Sequence, residues 1–179
     1  TCNTLYYFRA FAKNAIGTSY GNDITFTTSA CNTSPAVATP TSSTVTSTGA
    51  TLGANVTSLG IPASISARGT CWGTSGAPIT NCVAEGGTTT GVFTHARNGM
   101  NPNTTYYYRG YATNANGIAY SPDGTFVTLS ITPTVTTTSP ASSITQTTAV
   151  GGGNTTSNGG SVVTTAGLTW STIINPTYA

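Results

Sequence analysis

The sequence predicts an all-β protein built from β-sandwich modules that repeat about every 100 residues. The segment TLYYFRAFAKNAIG at residues 4–17 returns as TTYYYRGYATNANG at residues 104–117, a spacing of domain size. Short runs alternate apolar and polar residues and are separated by Gly and Pro, as in strands joined by turns. No stretch has the apolar spacing of an amphipathic helix, and the chain is rich in Tyr, Thr and Val, which favour strands.

The repeat extends beyond this tyrosine-rich segment. Residues 45–55 resemble residues 144–154, and residues 65–72 resemble residues 163–170. Matches in several separate segments indicate that a whole structural unit is repeated, not one short motif.

The phase of the matches divides the chain into three modules. We expect residues 1–30 to be the C-terminal part of one β-sandwich module, residues 35–128 a complete module, and residues 131–179 the N-terminal part of a further module. The chain is then cut mid-module at both ends, and we expect its natural termini to lie outside this sequence. Short linkers at 29–35 and 129–133 should hold adjacent modules end to end.

Seven short strands are expected in the complete module, which is the number typical of a β-sandwich. In residues 50–57 the alternation predicts an inward face of Ala50, Leu52, Ala54 and Val56, with Asn55 facing outward. Hairpin turns are predicted at 14–17 and 114–117, where Asn and Gly supply the turn chemistry. The predicted strands lie near residues 36–39, 45–57, 63–73, 79–85, 90–97, 104–113 and 119–128.

The last two predicted strands carry a family resemblance. Residues 100–114, with Pro, Thr, Tyr and a following Ala-x-Asn, and residues 125–128 resemble the end of a fibronectin type III-like module. The resemblance places Tyr106, and its counterpart Tyr6, at the tyrosine corner, where the hydroxyl bonds to upstream backbone. Residues 69–75 resemble tandem modules of large bacterial secreted and surface proteins. The family implies tandem immunoglobulin- or fibronectin III-like sandwiches, with the exact strand topology left open.

The composition limits the possible partners of the chain. Charged residues are 4% of the chain and the net charge is +2, against roughly 25% charged residues in an ordinary soluble domain. So small a charge excludes a nucleic-acid surface, and no apolar run is long enough to insert in a membrane. Glycans are possible partners, on dense Ser and Thr or on Asn-x-Ser/Thr acceptors at Asn32, Asn55, Asn103 and Asn154.

The four cysteines favour oxidised pairs outside the cytosol. Among the three possible connectivities, Cys2 and Cys31 lie just beyond the ends of the predicted first hairpin, and Cys71 and Cys82 bracket a turn. We therefore predict disulfides Cys2–Cys31 and Cys71–Cys82 and an extracellular or cell-surface location. The alternative is free buried thiols. Zinc is excluded because there is one His and no Cys-x-x-Cys motif.

The acidic residues do not assemble a predicted catalytic site. Asp23 and Asp123 occupy equivalent repeat positions, which is typical of turn or capping residues. Glu85 is the remaining acid, and His95 has no carboxylate or nucleophile partner nearby in sequence. We therefore expect no enzyme, no catalytic or metal-binding residues and no cofactor.

A strip of aromatic side chains is the one candidate binding surface. Tyr107, Arg109 and Tyr111 should share one face of their strand, opposite Tyr106 and Tyr108. Such a strip can stack on sugar rings or on a partner module. The favoured interpretation is that these side chains cover the sheet and pack against neighbouring segments.

These observations favour a structural extracellular repeat protein, the shaft or fibre of a bacterial surface or secreted assembly. Neighbouring modules or identical subunits arranged head to tail are the expected partners. In a filament variant, strand addition between chains completes the partial modules, but about twenty residues of the cycle are absent between them. We therefore prefer an excerpt from a longer array. The alternatives are a carbohydrate- or surface-binding adhesin module and a spacer in a large secreted hydrolase.

Overall fold

The computed structural model describes residues 1–178, and within them the chain is all-β. The alternating runs form fourteen strands. These are β1 (Leu5–Phe8), β2 (Phe11–Lys13), β3 (Thr18–Tyr20), β4 (Ile24–Thr27), β5 (Ala36–Ser43), β6 (Gly49–Ser58), β7 (Ala67–Gly73), β8 (Val83–Ala84), β9 (Gly91–Asn98), β10 (Thr105–Asn114), β11 (Gly117–Tyr120), β12 (Gly124–Val127), β13 (Thr134–Ser142) and β14 (Val150–Ser157).

The strands from β5 to β12 form two antiparallel sheets, which we call the central unit. One sheet has the order β5-β6-β9. The other has the order β11-β10-β7-β8, with β12 beside the first half of β10. The strands on either side of this unit form two-stranded sheets only: β1 with β4, β2 with β3, and β13 with β14. This arrangement is consistent with a β-sandwich.

The core lies between the two sheets of the central unit. The predicted inward face of β6 is confirmed, because its four alternating apolar residues from Ala50 to Val56 are all buried. At one end of the core β6 packs with Phe93 against Ala112. At the other end Leu52 packs with the rings of Tyr106, Tyr108 and Phe126. Apolar side chains from both sheets therefore form two clusters that exclude water from the space between the sheets.

The two tyrosine-rich segments fold into the same local structure. The backbone N–H of Thr4 donates to the hydroxyl of Thr28 at 3.0 Å. In the same way, the backbone N–H of Thr104 donates to the hydroxyl of Thr128 at 2.9 Å. The predicted turns are also present, since the side-chain oxygens of Asn14 and Asn114 accept backbone N–H groups two residues ahead. Similar sequences thus give hairpins with the same hydrogen bonds at these positions.

The structure corrects the strand predicted over 119–128. It is split into β11 and β12 at Pro122, which has no backbone N–H to donate to β10. At this point Ser121 makes the hydrogen bonds to β10 that a regular strand would make. Its hydroxyl accepts the backbone N–H of Gly110 at 2.9 Å, and its own N–H donates to the Gly110 carbonyl. One predicted strand is therefore two strands on the same edge of β10.

Four other predicted strands have different bounds. The strand predicted over 79–85 is only β8, because the loop before it takes positive φ at Ala77 and Asn81. The strand predicted from 45 begins at 49, after a turn in which the Thr46 N–H donates to the Gly49 carbonyl. The strand predicted from 63 begins at 67, and the strand predicted over 36–39 extends to 43.

Candidate functional surfaces

Both predicted cysteine pairs are disulfides in the structure. Cys2–Cys31 lies at the open end of the first hairpin, beside the bond from the Asn3 N–H to the Ser29 carbonyl. Cys71–Cys82 links β7 to the loop that precedes β8. Two disulfides indicate an oxidising, non-cytoplasmic compartment.

The tyrosine corner has the predicted geometry in the central unit. The backbone N–H of Asn101 donates to the hydroxyl of Tyr106 at 2.9 Å, and this side chain is buried. Its counterpart Tyr6 makes no such bond among the residues that the structure describes. The same sequence position therefore has its partner in one copy and lacks it in the other.

The aromatic strip of the central unit is covered by its own chain. The guanidinium of Arg109 lies 3.8 Å from the ring centre of Tyr120, and its Nε donates to the Pro78 carbonyl at 2.8 Å. Tyr107 is half-buried and Tyr111 is only 9% exposed, so that burial raises the pKa of the Tyr111 hydroxyl. These contacts favour packing of the strip over ligand binding.

The counterpart of this strip near the N-terminus is more open. Arg9 lies over the ring of Tyr20 at 4.0 Å, in the same arrangement as the pair in the central unit, and reaches Asp23 at 3.8 Å. Tyr7 is 68% exposed and Phe11 is 70% exposed. An aromatic surface with one cation is thus accessible here.

The structure brings together a polar cluster that the sequence did not predict. Nε of Arg68 donates to Oε2 of Glu85 at 2.9 Å, and Nη1 donates to the carbonyl of Thr89 at 2.8 Å. The bond to Arg68 lowers the pKa of the Glu85 carboxyl, and the N–H of Gly87 on the same oxygen adds to this effect. The cluster joins β7 to the loop between β8 and β9.

A second arginine extends the cluster along the edge of the sandwich. Arg97 of β9 donates to the hydroxyl of Thr70 at 2.8 Å and to the carbonyl of Val83 at 2.6 Å. It also donates to Nδ1 of His95 at 2.7 Å, and burial lowers the pKa of the guanidinium. His95 therefore has Arg97 as its partner, two residues away on the same strand.

This cluster joins the two sheets of the central unit. Every charged member is bonded to another member or to backbone. Within residues 1–178 no group of three His, Cys, Asp or Glu side chains is placed to hold a metal. Asp123 accepts the Ala77 N–H and so has the structural role expected of it. The polar cluster of Arg68 and Arg97 was difficult to predict from the sequence, because its bonded residues come from three separate segments.

The four glycan acceptors differ in accessibility. Asn32, Asn103 and Asn154 are exposed, whereas Asn55 is partly buried. Asn55 does lie on the outward face, but β6 is the middle strand of its sheet, and its neighbours β5 and β9 limit its exposure. Asn55 therefore faces outward, with less exposure than the other three acceptors.

An open apolar surface lies on the N-terminal hairpins, β1–β4. Tyr6, Phe8 and Phe26 are 38%, 53% and 50% exposed, whereas their counterparts in the central unit are 3%, 3% and 9% exposed. The rings still contact each other, with Tyr6 and Phe26 stacked at 5.4 Å between centroids. An aromatic face that is buried in one repeat is thus presented to solvent in the other.

The C-terminal segment contains an open cleft. This open groove has a volume of about 730 Å³ and runs between β14 and residues 163–169. Val135, Gly151, Gly153 and Leu168 line it. By the repeat, the first three are the counterparts of Val37, Leu52 and Ala54 in the core, so the groove occupies the place of a sandwich interior.

Two comparisons with known proteins found no relative of this chain. Neither the scan against protein-family models nor the search of curated proteins gave a match. No helix in the described part of the chain is long and apolar enough to cross a membrane.

Proposed function

We propose that this chain is a structural extracellular repeat protein, part of the shaft or fibre of a bacterial surface or secreted assembly. In this proposal residues 35–128 are a complete immunoglobulin- or fibronectin III-like module, and residues 1–30 and 131–179 belong to flanking modules. One observation carries it: the residues that recur are those that build hairpins and cores. The charged side chains of the polar cluster bond to one another or to backbone at the edge of a sheet. Among the described residues, this cluster offers no free acid and base that could act as a catalytic pair.

The test is the length that each module adds to the molecule. A second copy of residues 32–130 is inserted after residue 130, and both chains are measured by small-angle X-ray scattering at low concentration. If modules stack end to end, the maximum dimension increases by about 33 Å, the span of a ten-residue strand. An unchanged maximum dimension with a larger cross-section would contradict a shaft.

A binding module is the second candidate, favoured by the open aromatic strip near the N-terminus. Exposed rings beside a cation can stack on sugar rings, and Tyr7, Arg9 and Phe11 present such a surface. The test is a glycan array probed with the chain and with the Tyr7→Ala/Phe11→Ala variant. Binding that the variant loses would support an adhesin; a silent array would leave the structural role. A spacer in a secreted hydrolase would use the same end-to-end stacking.

A further inference from the structure

We infer that the open aromatic face of β1–β4 is the docking site for residues 134–171 of a second copy of this chain. The two segments together form a sandwich between copies, and repetition of this contact gives a head-to-tail filament. The inference rests on the proposed structural function and names its partner, an identical subunit.

Each segment lacks the strand neighbour that the other one carries. In the central unit β7 lies along β10, with Arg109 opposite Cys71. The counterpart of β10 is β1 with β2, and within the described chain strands pair with only one edge of it. The counterpart of β7 is residues 165–171, which form no strand. Addition of this segment to the free edge of β1 and β2 satisfies the backbone groups of both.

The open groove and the exposed rings are, by the repeat, counterparts of surfaces that face each other across the core of the central unit. In the central unit the rings of Tyr106, Tyr108 and Phe126 fill the space that β6 and β7 enclose. The corresponding space between β14 and residues 163–169 is the groove of about 730 Å³. The counterparts of the three rings are the exposed side chains of the N-terminal hairpins. Docking would bury these rings in the groove and remove their apolar area from water.

A pair of small residues is exchanged between the two segments. A Cβ atom on Gly110 would lie 2.2 Å from Cβ of Ala54, so the central unit has room for one methyl group at this contact. The counterpart of Gly110 is Ala10, and the counterpart of Ala54 is Gly153. The combination again has one methyl group, now contributed by the opposite sheet. Ala10 therefore fits against a facing sheet that has glycine at the position of Ala54. The C-terminal segment has this glycine, Gly153.

The C-terminal segment has apolar residues at the positions from which β7 bonds to the polar cluster. In β7, Arg68 bonds Glu85 and Thr70 bonds Arg97, so this strand depends on partners from β8, β9 and the loop between them. The counterparts are Ala166 and Leu168, which require no hydrogen-bond partner. Both β8 and β9 are edge strands in the central unit. A sandwich of residues 134–171 with β1–β4 is therefore complete in its inner strands and leaves no polar side chain at these positions unpaired.

The test uses two variants of the 179-residue chain that each block one end. Phe8→Asp places a charge on the docking face, and Leu168→Asp places a charge in the docking segment, where burial of an unpaired carboxylate is costly. Each chain is measured by sedimentation velocity over a wide concentration range. We expect the wild-type mass to grow with concentration, and each variant alone to remain a monomer. An equimolar mixture should form dimers of twice the monomer mass and nothing larger, because each variant retains the end that the other lacks.

Matched controls place the charge one residue away, on the opposite face. Tyr7→Asp and Thr169→Asp should assemble as the wild type does. The inference is overturned by a monomeric wild type at all concentrations, by a mixture that does not dimerise, or by blocked variants that still assemble. Failure here with a lengthened shaft in the scattering experiment would leave the proposed function standing, with the open face covered by some other segment. A shaft that does not lengthen would refute the proposed function instead.

Discussion

The N-terminal hairpins and the second half of the central unit have similar sequences and share several local hydrogen bonds, but their burial is opposite. Thr28 and Thr128 hold their hairpins through equivalent hydrogen bonds. Phe126 is nevertheless in the core, and Phe26 is half exposed. The difference is the facing sheet, which the central unit has and the N-terminal hairpins lack. Local sequence therefore sets the hairpin, while a distant segment sets the burial.

The same comparison explains why one strand is continuous and the other is broken. β10 runs unbroken over ten residues because β7 pairs with one edge and β11 and β12 pair with the other. Its counterpart is interrupted at residues 9–10 and forms the shorter strands β1 and β2. A strand of this sequence thus needs neighbours on both edges to remain regular over its full length.

The largest expected effect sharpens the comparison of the two phenylalanines. Phe126→Ala should lower the free energy of unfolding of the central unit by about 3–5 kcal/mol, since a buried ring is lost and a cavity remains. Phe26→Ala, at a concentration where the chain is monomeric, should change it by less than about 0.5 kcal/mol. Urea titration followed by tryptophan fluorescence measures both. Equal losses would break the comparison, because Phe26 would then contribute to the same core.

The next effect concerns the contact between the sheets at Gly110. Gly110→Ala should cost about 1–3 kcal/mol, because the added methyl group meets Ala54 and the sheets must separate. In the double variant with Ala54→Gly the methyl group has been exchanged, and much of this loss should be recovered. A double-mutant cycle in urea gives the coupling energy. Additive effects would remove the steric basis for the fit of Ala10 to Gly153.

The features that follow from local patterns were predictable from the sequence. Alternation identified the buried face of β6, and the hairpin register identified Cys2 and Cys31 as a pair. The features that arise from contacts distant in sequence were not predictable. The bonds of Arg68 to Glu85 and of Arg97 to Thr70 join segments that are distant in sequence, so no spacing rule reveals them.

The burial of Tyr111 was not predictable for the same reason. Alternation correctly placed Tyr111 on the face opposite Tyr106 and Tyr108, but it could not tell that Tyr111 is buried there. That burial depends on segments distant in sequence, which cover the face of the strand. Period-two patterns assign faces, whereas coverage of a face is a property of the whole fold.

A smaller effect separates the two tyrosine corners. Tyr106→Phe removes the acceptor of the Asn101 N–H and should cost about 0.5–1.5 kcal/mol in the free energy of unfolding. Tyr6→Phe removes no such bond within the described residues and should leave the stability of a monomeric chain unchanged. Thermal unfolding by circular dichroism compares the two variants. A loss in Tyr6→Phe that grows with protein concentration would support burial of this side chain between copies.

The smallest effect compares the ion pair of β7 with its apolar counterpart at Ala166. Because Arg68 lowers the pKa of Glu85 from the ordinary value of 4.5, the folded state binds this proton less readily than the unfolded state does. The stabilisation is therefore fully present above pH 4.5 and is lost as the pH falls through the lower pKa of the folded state. Unfolding free energies of wild type and Glu85→Gln should differ by a constant amount near neutrality and converge in acid. A difference that persists unchanged well below pH 4.5 would show that the Glu85 side chain acts through packing, and Ala166 could then not be interpreted as the loss of a charged partner.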